Sequence, residues 1–199
     1  TLAEMPAKPK GASWAEPATV IDRMTFRRDG GGYLPTGNNQ VFVVPADGGT
    51  PRQMSNGDYP IGGPVTWMPD SKSIIFSSNR RDDAEYHPRQ TDLFSASLLS
   101  GELEKVTDHA GSESTPVISP NGRYLAYTSA ADTRQGYNGA QLRVKDLQSG
   151  EDRSLTEDLD RSVSDVQWTP DSKRLWISFN DVGVTRVAEI DLKGRLKQS

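Results

Sequence analysis

A repeat with a period close to fifty residues runs through most of this 199-residue chain. Three segments share a Pro-Asp-Ser-Lys or Pro-Asn-Gly-Arg quartet, and their prolines, Pro69, Pro120 and Pro170, lie 51 and 50 residues apart. A second landmark keeps the same step, at Gln53-Met54-Ser55, Lys105-Val106-Thr107 and Ser154-Leu155-Thr156. Because two independent landmarks hold one period, the chain is predicted to be a tandem array of one structural unit.

Each unit has the pattern of four short β-strands. Val65 and Trp67 alternate onto one side of a first strand, and the quartet then forms a tight turn, because proline presets φ there. A second strand at 73–77, a third at 92–96 and a fourth at 103–107 follow, with no helical period after residue 20. This pattern predicts an all-β chain of β-propeller blades, each of them a four-stranded antiparallel sheet.

Other repetitive or all-β folds fit less well. A β-sandwich does not repeat a turn signature at a fixed step. The Trp-Asp dipeptide of WD40 blades does not occur in the sequence, and paired glycines in the kelch manner occur suitably only at Gly48-Gly49. The propeller interpretation therefore stands, without assignment to either of these two classes.

The repeat also predicts the domain organisation. Residues 1–18 are expected to form an extended linker, with docking of Trp14 left open, and the partial propeller covers residues 19–199. Its blades are predicted at about 19–58 (incomplete), 59–110, 111–160 and 161–199 (incomplete). About three and a half blades are fewer than most closed rings contain, so we expect an excerpt from a longer ring. An open arc would expose apolar faces and strand edges, which leaves self-association into a homo-oligomer open.

Composition excludes several classes of function. The absence of cysteine excludes disulfides, thiolate zinc sites and cysteine nucleophiles. A net charge of −4, with no basic face, argues against a nucleic-acid partner. No run approaches the roughly 18 apolar residues of a membrane helix, so no membrane partner is expected. We expect a soluble protein, and both the periplasm and the cytoplasm remain open.

The blade signature Trp-x-Pro-Asp-Ser-Lys, followed by a strand and Ser-Ser-Asn-Arg, resembles PD40 or TolB-like blades. The chain resembles more closely the N-terminal propeller of prolyl oligopeptidase family (S9) serine peptidases, in the acylaminoacyl-peptidase and dipeptidyl-peptidase branch. The residues that carry this second resemblance are Val20 to Met24, Arg27 to Gly30, Gly32 to Leu34, Val41 to Val44, Asp47 to Gln53 and Ile74 to Arg80.

That resemblance implies a propeller that precedes an α/β-hydrolase domain carrying the catalytic Ser, Asp and His. This sequence contains no Gly-x-Ser-x-Gly, and its two histidines, His87 and His109, fall in expected loops. We therefore expect no catalytic residue here, and a role in gating peptide access to a hydrolase domain. The expected partners are that domain, the remaining blades and peptide substrates. The alternative is a TolB-like scaffold that binds other proteins.

Long loops are expected to share one end of the blades, namely 79–91, 129–140 and 180–185, together with the connections between blades. The richest loop contains Arg80, Arg81, Glu85 and Tyr86, the candidate substrate-binding residues. Glu85 beside Tyr86 could hold the amine of a peptide, and Arg80 or Arg81 a carboxylate. The alternative is a solvated loop whose charges neutralise one another, or an interdomain contact.

No metal and no cofactor are expected. A calcium loop starting at Asp158 fails, because Val163 stands at the glycine position and Thr169 at the glutamate position. The tryptophans Trp67, Trp168 and Trp176 are predicted to be core residues and not a carbohydrate platform.

Overall fold

A computed structural model describes residues 9–13, 20–133, 135 and 137–198. These residues form sixteen β-strands, which confirms the all-β prediction. They include no helix that could cross a membrane. Most of the predicted linker at 1–18, including Trp14, lies outside the described residues.

The sixteen strands are described in four groups of four, in chain order. The first blade contains β1 (Arg27–Arg28), β2 (Gly32–Tyr33), β3 (Phe42–Val43) and β4 (Arg52–Gln53). The second contains β5 (Ile61–Trp67), β6 (Ser73–Ser78), β7 (Asp92–Ser97) and β8 (Leu103–Lys105). The third contains β9 (Gly111–Ile118), β10 (Tyr124–Ala131), β11 (Gln141–Asp146) and β12 (Asp152–Ser154). The fourth contains β13 (Val163–Trp168), β14 (Arg174–Asp181), β15 (Val184–Asp191) and β16 (Leu196–Gln198).

Each of the last three blades is one antiparallel four-stranded sheet with its strands in sequential order. The fourth blade, which was predicted to be incomplete, contains four strands among the described residues. Its strand β16 spans three residues, as do β8 and β12. The described chain is thus a partial propeller of three four-stranded blades and a smaller first blade.

The first blade differs from the other three, because its four strands do not form one sheet. Strands β1 and β2 instead form their own hairpin, which the backbone hydrogen bond from Leu34 N to Phe26 O extends. Gly30 and Gly32 both have positive φ, so this short glycine-rich turn folds the chain back on itself. Strands β3 and β4 pair as a third and a fourth strand do in the later blades.

The repeated quartet forms the same turn three times. Its second residue accepts a hydrogen bond from the backbone N–H of the fourth, through the side chains of Asp70, Asn121 and Asp171. Its third residue lies in the left-handed region, with φ of 58° at Ser71, 72° at Gly122 and 59° at Ser172. The sequence signature therefore encodes one backbone geometry, in which two serines occupy a conformation that favours glycine.

The second landmark is a buried hydroxyl group. Ser55, Thr107 and Thr156 are at most 3% exposed. Each accepts a hydrogen bond from a backbone N–H fourteen residues earlier, at 2.8 Å from Val41, 2.9 Å from Leu93 and 2.8 Å from Leu142. The hydroxyl thus fixes the fourth strand to the start of the third in three successive blades.

Three layers of buried side chains lie between neighbouring blades, and we number these seams in chain order. The first seam contains Val41, Met54, Ile74, Phe76 and Ala96. The second seam contains Ile75, Leu93, Ile118, Leu125 and Tyr127. The third seam contains Ala126, Leu142, Val144, Leu155, Val163, Val166, Leu175, Ile177, Phe179, Ala188 and Ile190. Alternate residues of one strand face opposite neighbours, so each blade is covered on both sides wherever a neighbour exists.

The tryptophans divide into covered and uncovered positions. Trp168 donates a hydrogen bond from Nε1 to Val117 O at 3.0 Å, and its ring stacks on Tyr124 of the preceding blade. Trp67 and Trp176 are 48% and 40% exposed, so the prediction that they are core residues is wrong for this chain. Trp67 is the repeat equivalent of Trp168, but the described part of the first blade offers no pair of strands like β9 and β10 to cover it.

Candidate functional site

The connections between blades and the loops between second and third strands share one end of the sheets, as predicted. Strand pairing places the start of β5 opposite the end of β6, and the start of β9 opposite the end of β10. The prediction of a long loop at 180–185 is wrong. Strand β14 continues to Asp181 and β15 begins at Val184, so only two residues connect them. The long loops at this end therefore belong to the second and third blades.

Arg80 anchors the predicted loop at 79–91 to the blade below it. Its guanidinium carbon lies 4.5 Å from the ring centroid of Tyr59 and 5.8 Å from that of Phe94. Its Nη2 donates hydrogen bonds to the backbone and side-chain oxygens of Asn56 at 3.1 and 3.2 Å. Burial lowers the pKa of Arg80. Its Nη1 is buried and has no hydrogen-bond partner among the described residues.

The other three predicted residues contact different partners. Arg81 pairs with Asp83 at 2.9 Å, and the hydrogen bond from Arg81 lowers the pKa of Asp83. Glu85 accepts a hydrogen bond at 3.2 Å from the backbone N–H of Met24, in the first blade. Tyr86 is 74% exposed. Substrate binding by these residues remains a prediction, and the contacts of Arg80 and Glu85 tie the loop to neighbouring parts of the protein.

A polar network that the sequence did not reveal lies at the second seam. The fully buried Tyr127 donates a hydrogen bond from its hydroxyl to Asp152 Oδ2 at 2.6 Å, and burial raises the pKa of Tyr127. Arg143 Nε donates to Asp152 Oδ1 at 3.0 Å. His109 Nε2 lies 3.3 Å from Asp152 Oδ2, and its ring stacks on that of Tyr127. One carboxylate thus fixes a phenol, a guanidinium and an imidazole.

Glu113 is buried beside this network, on β9. The hydroxyl of Thr107 donates a hydrogen bond to its Oε2, whereas its Oε1 has no partner among the described residues. Its backbone carbonyl accepts hydrogen bonds from Ser77 Oγ at 2.6 Å and from Thr91 Oγ1 at 2.9 Å. Burial raises the pKa of the Glu113 carboxyl to about 7, even though the hydrogen bond from Thr107 acts to lower it.

A cavity of about 350 Å³ opens beside the network, at the end that carries the long loops. Its polar lining includes His109, Ser129, Asn138, Gln141 and Arg143. Nothing in the described part of the chain groups three or more His, Asp or Glu side chains as a metal site would require. The one sequence signal for this region was Glu113, a charged residue at an inward position of an otherwise uncharged strand.

Comparison with known proteins identifies the family. Residues 12–134, more than half of the chain, match the family described as the dipeptidyl peptidase IV (DPP IV) N-terminal region. The chain belongs to this family. The resemblance to the N-terminal propeller of S9 peptidases is thereby confirmed, and the DPP IV N-terminal match covers the first two predicted blades and the third blade to just beyond the end of β10.

Individual relatives agree with this assignment. Dipeptidyl-peptidase 5 of Porphyromonas gingivalis is 29% identical over 138 residues, which is 67% of this chain and 20% of the relative. The chain therefore spans about a fifth of the length of that relative.

Solved structures show the fold. TolB from Acinetobacter baumannii has a TM-score of 0.63 at 22% identity, with 80% of this chain and 37% of that chain covered. A puromycin-hydrolyzing peptidase of Mycobacterium tuberculosis has a TM-score of 0.63 at 13% identity, with 83% and 28% covered.

Proposed function

We propose that this DPP IV N-terminal region is the non-catalytic part of a serine peptidase. In this proposal it stacks with further blades and with an α/β-hydrolase domain, and its loop end limits which peptides reach the catalytic serine. The family match supports the peptidase context. The relatives of known length are several times longer than the matched segment, which leaves room for both partners.

The outer face of the fourth blade is the observation that carries the stacking proposal. Ile75, Ala126 and Trp176 hold the same repeat position, six residues after the quartet proline. Ile75 and Ala126 are 2% and 0% exposed because the next blade covers them, whereas Trp176 is 40% exposed. This face of the sheet is buried in both preceding repeats. The exposed indole of Trp176 on the same face therefore favours a further blade that packs against it.

The loop end suits a gating role. Tyr86 is exposed at the tip of a loop that Arg80 and Glu85 tie to the blades beneath and beside it. A tethered loop with an exposed aromatic tip can contact peptides selectively, because its backbone has little freedom left to lose on binding.

The test uses the protein encoded by the complete open reading frame, beside the 199-residue chain expressed alone. We expect a fluorophosphonate probe to label the former and not the latter, since the probe reacts with an activated serine. Labelling of neither protein would favour the alternative, a TolB-like interaction scaffold. Labelling of the 199-residue chain would contradict the non-catalytic role.

A second experiment addresses gating. In the complete protein, Tyr86→Ala should change kcat/KM for long peptides by several-fold and leave that for dipeptidyl substrates nearly unchanged. The control is Leu99→Ala, which alters an exposed apolar side chain between β7 and β8, at the other end of the same blade, and should leave both values unchanged. Equal effects of Tyr86→Ala on long and short substrates would contradict the gating role.

A further inference from the structure

Three polar residues of the third blade stand where both neighbouring blades are apolar. Strand pairing places Tyr127 opposite Arg143, Phe76 opposite Phe94 and Ile177 opposite Ala188. Asp152 holds the position of Leu103 in the second blade and of Leu196 in the fourth. The apolar sets are Phe76, Phe94 and Leu103, and Ile177, Ala188 and Leu196, and each belongs to a hydrophobic cluster.

Placing Arg143 and Asp152 at positions that are apolar in the neighbouring blades costs folding free energy, so a functional reason for them is expected. Burying a guanidinium and a carboxylate costs desolvation free energy, and a well-packed apolar set of similar volume is often at least as stable. The repeat shows that such an apolar set fits the blade, because two neighbours contain one. Departure from a local rule at one copy of a repeat is typical of a functional site.

Arg143 retains unused hydrogen-bond donors. Its Nε serves Asp152 and Tyr127, but its terminal nitrogens make no hydrogen bond to any described residue. The side chain is 20% exposed and lines the cavity of about 350 Å³. Its guanidinium plane is fixed by Asp152, which is itself only 12% exposed. A fixed guanidinium with free terminal N–H groups is preorganised for a bidentate carboxylate.

The rest of the cavity lining favours the same ligand. Among the described residues, none that lines the cavity is acidic. Gln141 accepts a hydrogen bond from Ser154 through Oε1, which leaves its amide N–H groups available. Asn138 donates from Nδ2 to Ala131 O at 2.9 Å, which leaves its side-chain oxygen available to a peptide N–H. The cavity thus combines a cation with groups that match peptide amides.

We propose that this cavity binds the carboxylate of a peptide, with Arg143 as the residue that contacts it. The carboxylate belongs either to the C-terminus of the peptide or to an acidic side chain. This proposal does not depend on the peptidase function, because binding is measured on the 199-residue chain without catalysis.

The experiment titrates the chain with three peptides, followed by the amide NMR shifts of residues 138–143. The peptides are N-acetyl-Ala-Ala-Ala with a free C-terminus, its C-terminal amide, and N-acetyl-Ala-Glu-Ala amide. We expect the neutral amide to bind at least ten-fold more weakly than one of the two acids. The acid that binds identifies the source of the carboxylate, and equal binding of all three peptides would overturn the proposal.

Two variants separate recognition from folding. The triple variant Tyr127→Phe, Arg143→Phe, Asp152→Leu installs the apolar set of the second blade, so it should fold and lose at least ten-fold in affinity for the acid. Arg143→Gln should show a similar loss. The control is Arg123→Gln, which removes another arginine of the same blade that is paired with Asp146 at 2.7 Å. Unchanged affinity in the folded triple variant, or an equal loss in the control, would overturn the proposal.

Discussion

The second and third seams are built from the same repeat positions but differ in chemistry. The third seam is an apolar cluster of eleven buried residues. The second seam contains five buried apolar or aromatic residues, of which Tyr127 is hydrogen-bonded to Asp152 in a network with Arg143, and Glu113 lies beside them. An internal repeat therefore serves as its own reference, because a position that departs from its equivalents identifies a specialised site without any second protein.

The largest expected effect is at the apolar third seam. Phe179 is 2% exposed there, so Phe179→Ala should lower the free energy of unfolding by about 3–5 kcal/mol through lost burial and a residual cavity. Urea denaturation measures the change. Phe42 is 52% exposed, and Phe42→Ala should cost less than about 1 kcal/mol. Similar losses at the two positions would contradict the stacking of the third and fourth blades.

The polar second seam should depend on pH. Burial raises the pKa of Glu113 from 4.5 to about 7, so the folded chain holds this proton more tightly than the unfolded chain does. Its stabilising effect is therefore complete below about pH 4.5 and is lost as the pH rises through 7, for a total of about 3 kcal/mol.

Denaturation at a series of pH values tests this prediction. The variant Glu113→Gln should lose that component of the pH dependence. The exposed Glu157 provides the matched control, and Glu157→Gln should leave the pH profile unchanged. A profile of the Glu113→Gln variant identical to that of the unmodified chain would show that Glu113 is not the responsible group.

The buried hydroxyls of Thr107 and Thr156 hold one repeat position, so substituting them allows the second and third blades to be compared. Thr156→Val removes the acceptor of the Leu142 N–H and should cost about 1–3 kcal/mol. Thr107→Val removes the acceptor of the Leu93 N–H and also the donor to Glu113, so it should cost more, and it should raise the pKa of Glu113 further. Denaturation of both variants at pH 5 and pH 8 checks the difference, with Thr156→Ser and Thr107→Ser as controls that retain the hydroxyl. Equal costs at both positions would contradict the coupling to Glu113.

The smallest expected effect concerns the repeated turn. Ser71 is exposed and has a φ of 58°, a conformation that glycine adopts freely at the equivalent Gly122. Ser71→Gly should therefore be neutral or stabilising by up to about 1 kcal/mol. Ser71→Ala retains the strain and should not stabilise the chain. Thermal denaturation distinguishes the two, and a clear loss in the glycine variant would contradict the turn geometry.

The sequence predicted the blades well because their determinants are local and repeated. The quartet turn and the buried hydroxyl recur at a fixed step, and each fixes a hydrogen bond within one blade. The hairpin of β1 and β2 was not predicted, because its glycine-rich turn has no counterpart in the repeated units.

The side-chain contacts between blades were predicted less well than the blades themselves. Whether Trp67 and Trp176 are buried depends on a neighbouring blade, and period-2 alternation carries no information about that neighbour. The network at the second seam joins Tyr127, Arg143 and Asp152 across three strands, and its partner His109 comes from a connection between blades. Such a site becomes visible only when the strand register is known, although Glu113 at an inward strand position was a usable sign.

The proposal that a further blade covers the fourth blade can be tested directly through cysteine accessibility. The chain contains no cysteine, so a Trp176→Cys variant introduces one thiol on the exposed face, and Leu99→Cys introduces one at a position that is 92% exposed. Each variant is prepared in the 199-residue chain and in the protein of the complete open reading frame, and maleimide labelling of the corresponding peptide is followed by mass spectrometry. The account predicts that position 99 reacts equally in both proteins, whereas position 176 reacts at least about ten-fold more slowly in the complete protein, since a buried thiol is inert. Equally fast labelling of position 176 in both proteins would contradict it.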